Sequence, residues 1–389
     1  MPHERSRFAV APLKKLASLW PVIGVIGARQ VGKSTLVKNQ MEIPHQLSFD
    51  DEDTLLDAEA SAKVFISRLQ LPVLIDEAQK APRIFDAIKV KVDKKRVPGQ
   101  YFLTGSSQFS SRLDIRESLT GRIGLLHLHP LTLAELHQKP FRAPEVFPKE
   151  LTPRFEISEI SEGLERGGLP FPCFLRDAAA RNLYWSSWLE TTIYRDIARF
   201  FKRSYDPRVT TKILRRMAEA ALRGEYFSTD MVSDIQGRRL QSYLTAMEDV
   251  FLIRRMSCHE LGVGRDRWFV FDSGLLHHLM GAQRSEGATL SLARVFILNE
   301  ISALCEYASQ RLELTYFKSM QGAPVDLVWD RIPIKITARA SLKGVGWEKR
   351  SLEGAMKRLK STRAVLVAPV DRPIIEKKGV SIVPWSMWS

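Results

Sequence analysis

A glycine-rich turn directly after the first apolar run restricts the fold of this chain more than any other feature. Val22-Ile23-Gly24-Val25-Ile26 leads straight into Gly27-Ala28-Arg29-Gln30-Val31-Gly32-Lys33-Ser34, a G-x-x-x-x-G-K-S pattern, with Thr35 beside it. A strand that feeds such a loop must curl so that several backbone N–H groups point inward, and glycine tolerates that geometry. A helix beginning at the loop turns its positive dipole end to the same point. The pattern therefore implies a cradle for phosphates. Lys33 would reach the β- and γ-phosphates of a nucleoside triphosphate, and the Ser34 hydroxyl would ligate Mg²⁺.

A second segment sharpens this reading. Pro72-Val73-Leu74-Ile75-Asp76-Glu77 is an apolar strand ending in two carboxylates, 43 residues beyond Lys33. In open α/β sheets, ligands sit at the carboxyl ends of the strands. Asp76 is placed to hold Mg²⁺ through water, and Glu77 to orient and activate an attacking water. Three more strands are expected over 46–50, 101–107 and 123–128. Alternating with helical stretches, these five make an α/β fold with a parallel sheet. Thr104 and Ser106 fall at a strand tip, where a hydroxyl can sense the γ-phosphate or simply serve the turn. Arg122 precedes the last strand and could stabilise transferring charge, in its own or a neighbouring subunit. Arg112 and Arg116 compete for that role, and any of the three could be a solvated surface cation.

The motifs come in a set order. Asp76-Glu77-Ala78-Gln79-Lys80-Ala81-Pro82 is followed by Leu103-Thr104-Gly105-Ser106-Ser107, Leu119-Thr120-Gly121-Arg122 and His129-Pro130-Leu131-Thr132-Leu133-Ala134-Glu135-Leu136. This order resembles the bacterial and archaeal AAA-type ATPases built from a P-loop domain and a C-terminal domain of unknown function. Downstream, Gly167-Gly168-Leu169-Pro170, Tyr194-Arg195-Asp196-Ile197 and Phe269-Val270-Phe271-Asp272-Ser273-Gly274-Leu275 resemble further marks of that family. The resemblance spans residues 15 to 340. It implies a P-loop NTPase of the AAA/ASCE type, a helical and winged-helix domain, and a small nuclease-like α/β domain. Boundaries are expected at 1–145, 146–281 and 282–389.

Composition narrows the alternatives. A chain of 389 residues with 44% hydrophobic and 26% charged residues has room for two or three cored domains. Three widely separated cysteines (Cys173, Cys258, Cys305) give neither a disulfide framework nor a zinc site, which points to a reducing cytoplasm. Arg5, Arg7, Lys14 and Lys15 ahead of an apolar stretch mimic a secretory signal, but cleavage there would destroy the loop. No membrane span is expected.

The middle third reads as helical over 180–223, with Trp185, Trp188, Leu189, Ile193 and Ile197 at core spacing. Two short helices separated at Gln236-Gly237, then a strand at Val250–Arg255, give a winged-helix pattern. Such a unit either packs against protein or reads a DNA groove, with Arg238, Arg239 and Gln241 as readers. The last third concentrates charge: residues 331–389 hold 13 Lys+Arg and 4 Asp+Glu, +9 of the chain's +14. That balance suggests a polyanionic partner, DNA before RNA.

Segments 312–317, 325–329 and 332–336 read as strands whose order resembles a PD-(D/E)XK nuclease core. Asp326 and Lys335 match that core, but Pro333 replaces its acid and Glu300 on the preceding helix is not clearly in register. A domain without nuclease activity is expected. The GTPase Asn-Lys-x-Asp motif is absent from the sequence, which favours ATP. Two functions stand open: an ATP-hydrolysing protein acting on nucleic acid, with a homo-oligomer possible, or a slow nucleotide-gated switch signalling to a protein partner.

Overall fold

The protein is described by a computed structural model covering residues 5–108, 119–147, 153–201, 204–281, 283–320, 322–340 and 346–389. Arg112 and Arg116 lie outside the described residues.

The first 140 residues wrap helices around a parallel sheet. Its strands are β1 (Val22–Ile26), β2 (His45–Ser48), β3 (Val73–Asp76), β4 (Tyr101–Gly105) and β5 (Ile123–His127). The order is β2-β3-β4-β1-β5, and every pair is parallel. The connecting helices are α1 (Val10–Leu19), α2 (Lys33–Gln40), α3 (Glu52–Ala60), α4 (Ala62–Arg68) and α5 (Arg83–Lys94), with the short α6 (Leu133–Leu136) after the sheet. Continuous Val/Ile/Leu runs suit strands buried on both faces. Ile23 and Val25 of β1 join one core while Val22 joins the other. In α5 the buried residues Ile84, Phe85, Ile88 and Val92 recur at helical spacing and seat the helix on the second core. Helix starts are signalled locally: Asp51 accepts from Thr54 N, and Thr132 with Glu135 forms a capping box.

The middle segment carries α7 (Ile157–Arg166), α8 (Ala178–Thr191), α9 (Pro207–Leu222) and α10 (Gly237–Asp249). A hairpin of β6 (Ile253–Cys258) and β7 (Arg267–Val270) follows, then α11 (Ser273–Met280). The helical stretch read over 180–223 is interrupted: α8 passes into a π-helical turn at Thr192–Ile197 and a 3-10 turn at Ala198–Phe200. Of the two short helices expected either side of Gln236-Gly237, the first is only a 3-10 turn, Thr229–Met231, and the second is α10.

The last segment is α12 (Glu286–Tyr307), β8 (Thr315–Tyr316), β9 (Leu327–Trp329), β10 (Ile332–Ile336), α13 (Gly346–Leu359), β11 (Arg363–Ala368) and β12 (Gly379–Pro384). Strands β10, β11 and β12 are parallel, and β9 closes the edge antiparallel to β10. Helix α12 is apolar and long enough to cross a membrane, but 83% of its 18-residue apolar window is buried inside the protein. Its apolar character is that of a central core helix, packed on α7, α9 and α11.

Two resembling motifs meet in one buried clamp. The Asp272 carboxylate accepts from Gly274 N (2.7 Å) and Leu275 N (3.2 Å) to cap α11, and from Gly168 N (2.9 Å) and Leu169 N (3.0 Å) of the Gly-Gly-Leu-Pro turn. A Cβ on Gly167 would lie 1.9 Å from Asp272 Oδ1, so only glycine fits there. Burial pushes the Asp272 pKa up, against the four backbone N–H groups that favour its charged form.

Helix α12 also braces the first domain. Arg7 donates to Val31 O of the glycine-rich loop (3.0 Å), to His129 O (2.6 Å) and to Glu135 Oε1 (3.1 Å), with Tyr307 OH of α12 at 3.4 Å. Two turns away, the buried Glu300 Oε1 accepts from Leu133 N (2.9 Å). Burial pushes the Glu300 pKa up to about 8, against the hydrogen bond from Leu133. The folded protein therefore holds a proton here that the unfolded chain, at about 4.5, has released. That contribution to stability is full below about pH 4.5 and is lost as pH rises through about 8. Glu300→Gln, neutral at every pH, is expected to reduce the fall in thermal midpoint between pH 5 and pH 8.5. Parallel midpoint-against-pH curves for the two proteins would refute this.

Candidate functional site

Three strand ends build one edge. Because β4 lies between β1 and β3, the ends at Ile26, Gly105 and Asp76 adjoin, and the loop Gly27–Gly32 opens beside both carboxylates. The loop is curled: Gln30 has φ 62° and Gly32, which caps α2, has φ 99°. Gly27 is required for a different reason, since a Cβ there would stand 2.4 Å from Leu128 O. Lys33 is 5% exposed, and its Nζ donates to Gly27 O (3.1 Å) and Ala28 O (2.9 Å). Burial lowers the Lys33 pKa, and the carboxylates of Glu77, Asp76 and Asp196 oppose that shift. Val31 is buried, whereas Thr35 is exposed on the first turn of α2.

Asp76 is the hub. Its Oδ1 accepts from Ser34 Oγ (2.7 Å), from the Thr104 hydroxyl and from Glu77 N (3.1 Å). The structure thus brings the two predicted cation-binding residues and the strand-tip threonine together. Glu77 takes a left-handed backbone, φ 55°, which is uncommon for a residue with a side chain and is found disproportionately at functional sites. Its Oε2 accepts from Ser106 Oγ (2.9 Å) and Gln79 Nε2 (2.5 Å). Gln79 also donates to Ser106 Oγ (3.3 Å), so two mutually bonded side chains fix the carboxylate.

The middle segment reaches into the same site, which sequence reasoning did not anticipate. Tyr184 OH donates to Gln30 Oε1 (2.7 Å), and Trp188 Nε1 donates to Arg29 O (3.4 Å). Arg29 Nη1 pairs with Asp196 Oδ2 (3.5 Å), and Arg195 Nε holds Asp196 Oδ1 (2.9 Å). Asp196, 6% exposed, sits in the π-helical turn, a distortion frequent at functional sites. The only sequence signal was the Tyr194-Arg195-Asp196-Ile197 mark, which carried no chemistry by itself. A cleft of about 310 Å³ opens between the two segments, lined by Gln79, Ser106, Ser107, Asp196, Arg199 and Phe200.

Other expected residues lie elsewhere. Arg122 is at the amino end of β5, opposite the loop, because Ile123 pairs with Val22 at the start of β1. Its guanidinium forks onto Asp93 (2.6 and 2.8 Å). It does not reach the loop of its own chain, which corrects half of the sequence expectation. Arg238, Arg239 and Gln241 are exposed on α10, with Arg239 near Asp206 (3.8 Å).

In the C-terminal sheet, Asp326 Oδ1 is paired to Arg294 Nε (2.7 Å) and Asp326 Oδ2 accepts from Ile336 N (2.7 Å). Lys335 Nζ donates to Pro324 O (2.7 Å). A guanidinium therefore faces the carboxylate that matches the nuclease core, while Glu300 serves the α6 contact. Among the described residues no group of three His, Cys, Asp or Glu side chains is arranged to hold a metal ion.

The parallel sheet, the curled loop at the end of β1 and the paired acids at the end of β3 define a P-loop α/β domain. Residues 20–137 match the family of AAA domains, and residues 157–286 match a domain of unknown function, DUF8612. The chain thus carries an AAA domain followed by a domain of unknown function.

It is 26% identical over 404 aligned residues to uncharacterized proteins of Mycobacterium bovis and Mycobacterium tuberculosis, covering 97% of this chain and 83% of theirs. Among solved structures it is similar to a Walker-type ATPase of Pyrococcus abyssi (15% identity, TM-score 0.42, 69% of this chain and 94% of that one). It is also similar to a DNA replication initiation factor (14% identity, TM-score 0.26, 62% and 75%).

The carboxylate of Asp196 faces the same cations that a triphosphate would use. Asp196→Asn is expected to tighten nucleotide binding by at least about 5-fold, since one unit charge at about 4 Å is worth about 1 kcal/mol even at the dielectric of bulk water. Titration with a fluorescent ATP analogue measures it. Weaker binding would instead assign Asp196 to holding the loop in shape.

Proposed function

We propose that the protein binds ATP with Mg²⁺ and hydrolyses it, and that nucleic acid is its partner. The observation that carries this reading is the Asp76 carboxylate, which joins the Ser34 hydroxyl of the loop helix to the β4 threonine with Glu77 next in the chain. The donor set suits magnesium: Ser34 Oγ and Asp76 Oδ1 are hard oxygens 2.7 Å apart, and this cation is held by one or two side chains plus phosphate oxygens. Bound there, it would neutralise phosphate charge.

The loop N–H groups of residues 28–34 and the start of α2 hold the phosphates. Lys33 exchanges its two carbonyl partners for β- and γ-phosphate oxygens. Glu77 orients a water and accepts its proton, once its carboxylate is released by Ser106 or Gln79. Thr104, hydrogen-bonded to Asp76, reports the state of the γ-phosphate side to β4. Arg122 enters only as a group donated to a neighbouring copy of the chain.

A second reading, a nucleotide-gated switch with slow turnover, is favoured by one observation. The middle segment seats Asp196, Tyr184 and Trp188 directly on the loop, so occupancy and domain docking compete for the same groups.

Two variants separate the readings. Lys33→Ala is expected to abolish ATP binding. Glu77→Gln is expected to bind ATP with Mg²⁺ as tightly as the parent while its turnover falls at least about 100-fold, the scale of a lost general base. ATP binding by equilibrium titration and phosphate release by a coupled assay give both quantities. Parent turnover equal to that of Glu77→Gln would remove hydrolysis and leave the switch.

A further inference from the structure

We propose that the amino end of the C-terminal sheet is the surface that grips the phosphate backbone of nucleic acid. This rests on the reading above that nucleic acid is the partner, and it locates the contact.

Strand register gathers cations that are far apart in sequence. β10 and β11 run parallel with Ile334 opposite Val365, so Ile332 and Arg363 begin their strands at the same end. β12 begins opposite Arg363, and Gly379 N donates to Thr362 O (2.9 Å). Helix α13 runs back between β10 and β11, so its carboxyl end arrives at this edge too. The outcome is one cluster: Arg331 at the tip of the β9–β10 turn, Lys357, Arg358 and Lys360 at the end of α13, Arg363, and Lys377 and Lys378 ahead of β12.

Six of these seven are exposed; Arg363 is partly covered, with its guanidinium over the Phe147 ring. They are over half of the 13 Lys+Arg in residues 331–389. Asp330, Glu376 and, a turn earlier, Glu353 are the acids of the same strand and helix ends, and among the described residues none of the seven cations forms an ion pair.

The bland account explains only part of this. Cations at a helix carboxyl end are favoured by its dipole, which covers Lys357, Arg358 and Lys360. It does not cover Arg331, Lys377 and Lys378, which stand on strand starts. Elsewhere among the described residues several exposed arginines do find a carboxylate, as Arg216 with Glu219 or Arg223 with Glu225. Cations left mutually repelling on a folded surface are the footprint of a partner that carries the missing negative charge.

Two features favour nucleic acid over an anionic membrane. The cluster extends over three strand starts and a helix end, as a repeating phosphate chain requires. The exposed Trp347, an aromatic that could anchor in a membrane interface, is at the opposite end of α13.

The test uses the full-length protein with Lys360, Lys377 and Lys378 changed together to Gln. These side chains are exposed and lie outside the nucleotide site, so ATP binding and thermal midpoint should match the parent and certify folding. Duplex DNA, single-stranded DNA and RNA are titrated at about 50 and 200 mM salt, where affinity for a multi-phosphate contact falls by orders of magnitude.

The expected result is parent binding to one of these, and a loss in the variant of at least 10-fold at the lower salt. The slope of log affinity against log salt should shrink by about one for each phosphate contact removed. Parent binding with an unaltered variant, or loss instead in an Arg238→Gln, Arg239→Gln variant, overturns the location while leaving the partner. Absence of parent binding to all three nucleic acids overturns the partner itself. Parent binding to phosphatidylserine vesicles but not to nucleic acid, lost in the triple variant, overturns the proposal in favour of a membrane surface.

Discussion

The site depends on the carboxylate of Asp76. One oxygen accepts from the helix that follows the glycine-rich loop, from the neighbouring strand and from the next backbone N–H. These bonds set the position of Ser34 relative to β3, hold Thr104 in register with it, and turn the chain so that Glu77 enters the left-handed region. A carboxylate satisfied by several donors is held in place. The parallel sheet exists, in functional terms, to bring these three strand ends to a single edge. Inserting β4 between β1 and β3 gives that edge a hydroxyl between the loop and the acids.

A second constraint comes from outside the sheet. The loop is fixed from one side by Arg7, whose guanidinium ties Val31 O to Glu135 and approaches α12, and from the other by the end of α8. A buried guanidinium with a carboxylate and two carbonyl partners is a strong, directional brace. The nucleotide site and the C-terminal segments are therefore mechanically continuous. One core runs from β1 through Trp185 and Trp188 to Ile297 and Ile301 of α12, and on to Ile334 of the last sheet. A movement of the loop has no soft layer in which to dissipate.

In the C-terminal sheet the two residues that resemble a nuclease centre are paired within the chain. Its strand order places Asp326 and Lys335 close together, yet the Arg294 guanidinium from α12 neutralises the aspartate and a carbonyl occupies the lysine. A cation supplied by the chain itself balances the charge of this buried aspartate. The sheet's charge is expressed at the other end of the strands, where Arg331, Arg363 and the lysines gather.

Much of the first domain was legible in the residues. Apolar runs of five, a G-x-x-x-x-G-K-S turn and two acids after an apolar stretch are local patterns, and local sterics alone dictate a strand, a cradle and a strand end. Strand identities held there, with boundaries shifted by a residue or two. The family marks downstream were legible only as marks. Gly167-Gly168 and Asp272 turned out to be two halves of one clamp, and Asp196 a contact of the loop, because both depend on groups about 100 or more residues apart meeting in space. The helical stretch read over 180–223 holds two helices with the π-helical turn of Asp196 between them, since tertiary docking overrides helical periodicity. The own-chain role offered for Arg122 failed for the same reason: which end of a strand faces the loop follows from sheet direction, and only the paired register reveals it. Sequence by itself fixed the chemistry available, a phosphate cradle with an acid pair and a basic tail. The tertiary structure decided which of those groups touch, because hydrogen bonds and ion pairs act over about 3 to 4 Å, and no pattern along the chain encodes that distance.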